Sequence, residues 1–336
     1  MNHPLESNHT NPHLPCPWHQ AAWTLLNRSW DTQRFPHAIL LHGVPGLGKK
    51  LFAQWFAQAL LCEDRVEGLR SCGKCPSCKL NQAGSHPDLI LVSPEEDKQQ
   101  ISVDQIRATN ESLSLTSTRS GFRVAIIEPA HQMTIAAANS LLKTLEEPNK
   151  NTVIIMVTSH AASLLPTLRS RCQQIGIAVP GTSSAQAWLE QQTGKAVLPE
   201  VLSYSGGAPL RAMEFAQGTF EALRQSMLPG LSALTDGNAD LTHLAQAWAD
   251  EQLPERLRWL DYWLSRLIRQ EILRTADPVT SGTLHGAQQV LNISAMYRAL
   301  DKLRELSERL RRTALQPELA LMSILMRIHQ SLHARN

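Results

Sequence analysis

Gly43, Gly46, Gly48 and Lys49 have the residue types and spacing to hold a phosphate chain. They lie in the run Ala38-Ile39-Leu40-Leu41-His42-Gly43-Val44-Pro45-Gly46-Leu47-Gly48-Lys49-Lys50. The pattern G-x-x-x-x-G-K is met by Gly43, Gly48 and Lys49. Glycines let successive backbone N–H groups turn toward an anion, and a helix start adds the positive end of its dipole. Lys49 is placed to reach β- and γ-phosphates. The next position should be Ser or Thr, whose hydroxyl holds Mg²⁺. Here it is Lys50, and an ammonium cannot ligate a cation.

An acid should face that loop from the end of a neighbouring strand. Val124-Ala125-Ile126-Ile127 ends in Glu128-Pro129. Glu128 supplies a carboxylate, but Pro129 has no acid–base group to activate water. The metal ligand and the base are compromised at two separate places, so hydrolysis at this site is not expected. Two readings stay open: a degenerate site that holds ATP or ADP without splitting it, or a loop that only packs. Thr158 ends another buried strand.

Cys72, Cys75 and Cys78 follow C-x2-C-x2-C spacing, with Cys62 upstream. Four thiolates on a short excursion suit tetrahedral Zn²⁺, and they leave no open position, so the site is structural. An iron–sulfur cluster is the chemical alternative, since it too uses four cysteines. Cys16 and Cys172 are unrelated thiols, and His86 is read as a strand-entry residue. Leu168-Arg169-Ser170-Arg171-Cys172 puts an arginine at a domain edge. Such an arginine can reach a phosphate on a neighbouring subunit. On residue chemistry alone, a solvated surface arginine is the simpler reading.

These residues need elements to position them. Apolar runs predict strands over Ala38–His42, Leu89–Val92, Arg123–Ile127 and Thr152–Thr158. Helical spacing predicts helices over Trp18–Trp30, Lys49–Leu61, Val103–Leu115 and Ile135–Glu146, the last capped by Thr134 and ended by Pro148. Alternating strands and helices define a doubly wound α/β domain. Pro180-Gly181-Thr182-Ser183-Ser184 reads as a linker, and the remainder is helical. Helices are expected at Ala185–Gln192, Leu198–Tyr204 and Leu210–Ala216. Beyond a break at Pro229-Gly230 they are expected at Glu255–Leu273, Ala295–Leu310 and Glu318–Leu332. The expected divisions are a disordered leader over 1–17 and an α/β domain over 18–178 with an insertion near 62–78. Helical regions over 179–217 and 218–336 follow.

Of 336 residues, 43% are hydrophobic and 18% charged, with a net charge of +2, so the chain lacks the basic signature of a solitary nucleic-acid binder. No secretory segment or membrane span is read from the sequence. The cysteines are therefore read as ligands rather than disulfides.

The chain resembles the delta-prime subunits of the bacterial DNA polymerase III clamp loader, which are AAA+ proteins. The matching residues are His37-Ala38, Gly43 to Lys49, Leu61-Cys62, Ser71 to Cys78 and Gly84-Ser85-His86-Pro87-Asp88. They continue with Ala136-Ala137-Ala138-Asn139-Ser140-Leu141-Leu142-Lys143-Thr144-Leu145-Glu146-Glu147-Pro148 and Leu168 to Cys172. The resemblance implies an α/β P-loop AAA+ domain, a small helical lid and an all-α collar. It implies a subunit that does not hydrolyse ATP itself. Such a subunit offers the arginine of its Ser-Arg-Cys block, here Arg171, to ATP on a neighbour. The resemblance also implies a place for Thr158 in the same candidate site as the glycine loop, at the sensor-1 position. It implies gamma/tau and delta partners, and the sliding clamp and primed DNA reached through the complex. It also implies zinc on Cys62, Cys72, Cys75 and Cys78, and a cytoplasmic location. The polymerase activity of the holoenzyme belongs to another subunit. Gly207-Ala208-Pro209-Leu210-Arg211 carries one residue more than the related ATPases before this helix, which puts Leu210 where they place a sensor arginine, so Arg211 is left unassigned.

Two competitors remain. A self-sufficient ATPase of the gamma/tau type is opposed by Lys50 and Pro129. A zinc-dependent nucleic-acid module is opposed by the balanced charge and by the reading that no basic stretch is interleaved with aromatics.

Overall fold

The computed structural model describes residues 16–276, 292–310 and 316–333, apart from 67, 97, 120, 198 and 217–218. Most of the expected leader, 1–15, lies outside them. Contacts divide the chain into two units, one of residues 1–197 with 205–213 and one of 198–204 with 214–336.

The first unit is a five-stranded parallel sheet, β1 (Ala38–His42), β2 (Leu89–Val92), β3 (Arg123–Ile127), β4 (Thr152–Thr158) and β5 (Gln173–Gly176), in the order β2-β3-β4-β1-β5. Its helices are α1 (Gln20–Asp31), α2 (Lys49–Leu61), α3 (Pro76–Gln82), α4 (Val103–Ser114), α5 (Ile135–Glu146), α6 (Pro166–Arg169), α7 (Thr182–Thr193) and the start of α9 (Pro209–Ala216). Side chains alternate across a strand, and both faces are covered. Ile39, Leu41, Val124, Ile126, Val153 and Ile155 pack with Trp23, Phe52 and Phe56 of α1 and α2. Ala38, Leu40, Ala125, Ile127, Ile154 and Met156 pack with Ile106, Leu141 and Leu145 of α4 and α5. β1 and β4 run in register from Ala38↔Ile154 to His42↔Thr158. The ends of β1, β3 and β4 therefore share one edge of the sheet, where ligands of open α/β sheets bind.

Ser102 makes a full capping box with Gln105 at the start of α4, and Thr134 accepts from Ala137 N–H at the start of α5. α7 begins at Thr182, earlier than expected, so the linker is shorter than Pro180 to Ser184. β5 and α3 were not expected.

The second unit is helical: α8 (Pro199–Tyr204), the end of α9, α10 (Thr219–Asp236), α11 (Leu241–Trp248), α12 (Leu253–Ala276), α13 (Ile293–Leu310) and α14 (Pro317–His333). The expected break at Pro229-Gly230 is wrong, because α10 runs through Pro229. A proline inside a helix costs about 3 kcal/mol. Burial of Leu223, Met227, Leu231 and Leu234 along one face outweighs it. Gly230 also lies so close to α11 that a Cβ there would fall 2.6 Å from the Trp248 ring. Among the described residues no helix is long and apolar enough to cross a membrane.

One buried carboxylate ties the sheet edge to its loops. Asp88 is fully buried and accepts from the N–H groups of Thr118 (2.8 Å) and Arg119 (3.0 Å). It also pairs with Arg123 at 3.5 Å. Removing one partner of a buried pair strands the other charge. Asp88→Ala should therefore lower unfolding stability by about 3 kcal/mol in chemical denaturation; a loss below about 1 kcal/mol would mean the network holds little.

Candidate functional site

The loop from Gly43 to Gly48 joins β1 to α2. Gly46 and Gly48 have φ of 81° and 71°, the left-handed region that favours glycine. Space forbids a side chain as well. A Cβ at Gly46 would fall 2.4 Å from Arg211 Cβ, and one at Gly48 would fall 2.7 Å from Leu210 Cδ1. The start of α9 thus lies directly over the loop, with Leu210 on Gly48 and Arg211 on Gly46. From another side Trp18 Nε1 donates to Leu47 O at 2.9 Å, and His19 Nε2 meets the same carbonyl at 2.6 Å. A contact that short to a carbonyl puts the proton on Nε2. Burial pushes the His19 pKa down to about 4, so the ring stays neutral near pH 7.

Lys49 is turned inward. Its Nζ donates to Val44 O (2.7 Å) and Ser159 Oγ (3.0 Å), and the residue is 6% exposed. Burial lowers its pKa to about 8 against the opposing pull of Glu128. Lys50 takes the carboxylate, with its Nζ 3.2 Å from Glu128 Oε2. Thr158 Oγ1 accepts from His160 N–H at 3.0 Å and meets His131 Nδ1 at 3.0 Å. Gly43, Gly46, Gly48, Lys49, Glu128 and Thr158 are therefore gathered at one edge of the sheet. The cationic and hydroxyl groups among them are engaged with the protein itself.

Arg171 lies elsewhere. It follows α6 and is exposed, with Nη2 at 2.5 Å from Glu146 Oε1 and Nη1 donating to Thr167 O at 3.0 Å. Glu146 closes α5, so the ends of two helices hold the guanidinium at the surface.

The four cysteines converge, with all their Sγ atoms within 4.8 Å of one another. Cys62 and Cys75 are 3.9 Å apart, Cys72 and Cys78 4.0 Å. Backbone N–H groups point at the sulfurs: Cys72 N to Cys62 Sγ at 3.3 Å, Cys75 N to Cys72 Sγ at 3.3 Å and Cys78 N to Cys75 Sγ at 3.4 Å. Such donors favour thiolates. Burial raises the Cys75 pKa, but the N–H bonds outweigh it and bring the thiol to about 7. Burial raises those of Cys62 and Cys78. The cluster has the donor set and spacing to hold one metal ion. His86 is not among the ligands. Asp88 N–H donates to His86 Nδ1, which leaves the proton on Nε2, 3.1 Å from Ser77 Oγ. Ser77 donates to Glu63 at 2.7 Å, and Arg119 donates to the same oxygen at 3.1 Å. His86 thus fastens the cysteine excursion to β2. Cys16 and Cys172 lie outside the cluster, their thiols pushed up to about 12 by burial.

Sequence reasoning missed Trp18, His19, Ser159 and Glu146. None carries a spacing signal, because each acts through a tertiary neighbour.

A parallel sheet of this order, with a glycine loop and helix after a central strand, defines an α/β protein with a P-loop-like phosphate cradle. The family model described as "DNA polymerase III, delta subunit" matches residues 18–180, and its C-terminal companion matches 219–330. A DNA polymerase III subunit delta' of Pseudomonas aeruginosa is 35% identical, covering 76% of this chain and 78% of the relative. That of Yersinia pestis is 34% identical, covering 83% and 84%. A DNA polymerase III gamma subunit-related protein of Thermotoga maritima gives a TM-score of 0.44 at 17% identity, over 92% of this chain and 99% of that one. The chain belongs to the delta-prime family of DNA polymerase III subunits.

Burial of Lys49 sets a pH dependence. Its folded pKa, about 8, lies below the unfolded 10.5. Below pH 8 both states are charged and the folded state bears the full cost of burial. Between pH 8 and 10.5 the unfolded chain holds more protons, so this contribution to stability rises with pH. Wild type should gain stability relative to Lys49→Met over that window in urea titrations at several pH values; a constant difference would contradict the burial argument.

Proposed function

We propose that the chain is a clamp-loader subunit that does not turn over ATP and acts on a neighbour's ATP through Arg171. The observation that carries this reading is the Lys50–Glu128 ion pair at 3.2 Å. The ammonium occupies the carboxylate that a hydrolytic site would leave to Mg²⁺, and Lys49 is spent on Val44 and Ser159. ATP or ADP, where bound, would meet Gly43, Gly46, Gly48 and Lys49 and remain intact. Thr158 in the sensor position has no hydrolytic site to serve.

Under this reading gamma/tau and delta subunits are the partners, and the sliding clamp and primed DNA are met through the assembly in the cytoplasm. Residues 18–178 are the AAA+ domain, 179–217 the lid and 218–336 the collar. Arg171 is exposed at a helix end, and its planar fork suits the charge that develops on a transferred γ-phosphoryl group. An arginine in trans is worth on the order of 10³-fold or more at the site it serves. Arg171→Ala in the complete complex should therefore depress clamp- and DNA-stimulated ATPase, and Arg171→Lys should not restore it. An unchanged rate would overturn the assignment.

Zinc is the proposed metal of Cys62, Cys72, Cys75 and Cys78. Tetrahedral sulfurs at about 2.3 Å from zinc stand somewhat under 4 Å apart, which fits one ion better than a cluster of several irons. Metal analysis of protein purified without added metal should find about one Zn²⁺ per chain, lost in Cys72→Ser; iron, or no metal, would refute it.

A further inference from the structure

The second unit contains a cavity of about 510 Å³ that none of the functions above uses. One wall is a face of α12. Trp259, Tyr262, Trp263, Arg266 and Gln270 all line it, and they recur at the i, i+3, i+4 spacing of a single helix face. The stretch Arg256-Leu257-Arg258-Trp259-Leu260-Asp261-Tyr262-Trp263-Leu264-Ser265-Arg266 is in fact a basic stretch interleaved with aromatics, which the sequence reading overlooked.

The aromatic residues differ in what they already do. Trp259 and Tyr262 lie 5.7 Å apart and both touch the Tyr204 ring, at 5.3 Å and 6.0 Å. They form a braced floor. Trp263 is half-buried, and among the described residues its side chain makes no hydrogen bond or ring contact. It borders the cavity, where a ligand would meet it. Arg266 is exposed beside it, with Nη1 at 3.2 Å from Tyr262 OH. Among the described residues Arg266 has no carboxylate partner. Arg224, across the cavity on α10, is already held in a two-bond pair by Glu221 at 3.0 and 3.1 Å. Arg266 is therefore the cation left for an incoming anion.

A purely apolar guest, such as a leucine side chain of a peptide, would offer nothing to the polar lining residues Glu200, Arg266 and Gln270, and burying such groups without a partner costs about 1–3 kcal/mol for each. A planar guest with donors and acceptors on its edge and an anion attached avoids that cost. We propose that this cavity is a nucleotide site, in which a base stacks on Trp263 and its phosphate pairs with Arg266. Stacking on an aromatic side chain tolerates any base, because each has a π face, and Arg adds a cation–π and phosphate contribution. The volume suits one nucleotide. The guest is either a free mononucleotide or one nucleotide of a single DNA strand. The proposal stands on the second unit alone and does not rest on the roles given to Lys49 or Arg171.

The test uses the full chain with two probes: deoxyadenosine monophosphate followed by calorimetry, and a short fluorescein-labelled oligothymidylate followed by anisotropy at low salt. Binding should weaken at least about fivefold in Trp263→Ala, from the lower bound of base stacking. Trp263→Phe should recover part of it. Arg266→Ala, at an exposed position that leaves the fold intact, should reduce the salt slope of oligonucleotide binding by about 0.7. Binding of both probes marks a mononucleotide site, and binding of the oligonucleotide alone marks a site for a DNA strand. The proposal falls if neither probe binds. It also falls if binding survives both variants and is lost only in Lys49→Met, which would put the ligand on the P-loop. It falls as well if Trp263→Ala leaves both probes unaffected but weakens assembly with other subunits, which would make the cavity a protein contact.

Discussion

An ammonium group standing against Glu128 is the constraint on which the rest of this site depends. A divalent ion in a phosphate site needs oxygen ligands and an unclaimed carboxylate. Lys50 supplies neither and takes the carboxylate for itself at 3.2 Å. The two-residue run Lys49-Lys50 then divides its work by burial. Lys49 goes inward, where Val44 O and Ser159 Oγ satisfy it. Lys50 stays half in solvent, where its pairing with Glu128 costs little desolvation. The loop keeps the glycine geometry of a phosphate cradle, yet its charges close on the protein. Trp18, His19, Leu210 and Arg211 press on the loop from outside. The charged groups of the site, Lys49, Lys50 and Glu128, are each held by a neighbour in the fold.

The cysteine excursion follows the same logic of internal satisfaction. It leaves the sheet after α2 and would be a loose loop without its ligands, since α3 has only seven residues. Two devices hold it. The four sulfurs converge within 4.8 Å. A buried chain of hydrogen bonds from Ser77 through His86 to Asp88 then anchors it to β2 and β3. Fully satisfied polar chains of this kind specify one arrangement, and a missing member is costly. A metal at the cysteines would therefore stabilise the edge of the sheet as well as the excursion.

Much of the first unit was legible in the sequence. The expected bounds of β1 to β4, of α2 and of α5 coincide with those observed, because buried parallel strands read as unbroken apolar runs and Thr134 and Pro148 mark helix ends chemically. β5 was not legible, since Gln173-Gln174-Ile175-Gly176 contains one apolar residue and owes its conformation to pairing with β1. α10 defeated the proline rule because its buried face carries more energy than one lost bond. The candidate site residues were legible as a set, since strand order places their parent strands together. What each one touches was not, because the choice of Val44, Ser159 or Glu146 as partner is made by tertiary packing that leaves no period in the sequence.

Lys49 and Arg171 contrast in how firmly the fold holds them. Lys49 is buried and doubly hydrogen-bonded, so moving it would strand a charge and two acceptors. Arg171 is tied by one carboxylate and one carbonyl, and its partner Glu146 is 51% exposed. Exposed pairs contribute only about 0.2–1 kcal/mol, so the guanidinium can leave Glu146 for a stronger anion with little loss. The same pair orients the guanidinium at the surface, which would lower the ordering cost if, as proposed, it met a phosphate. The proposed action in trans would need a group that is oriented yet weakly tethered, and the exposed Glu146 pair with the Thr167 carbonyl gives Arg171 that combination.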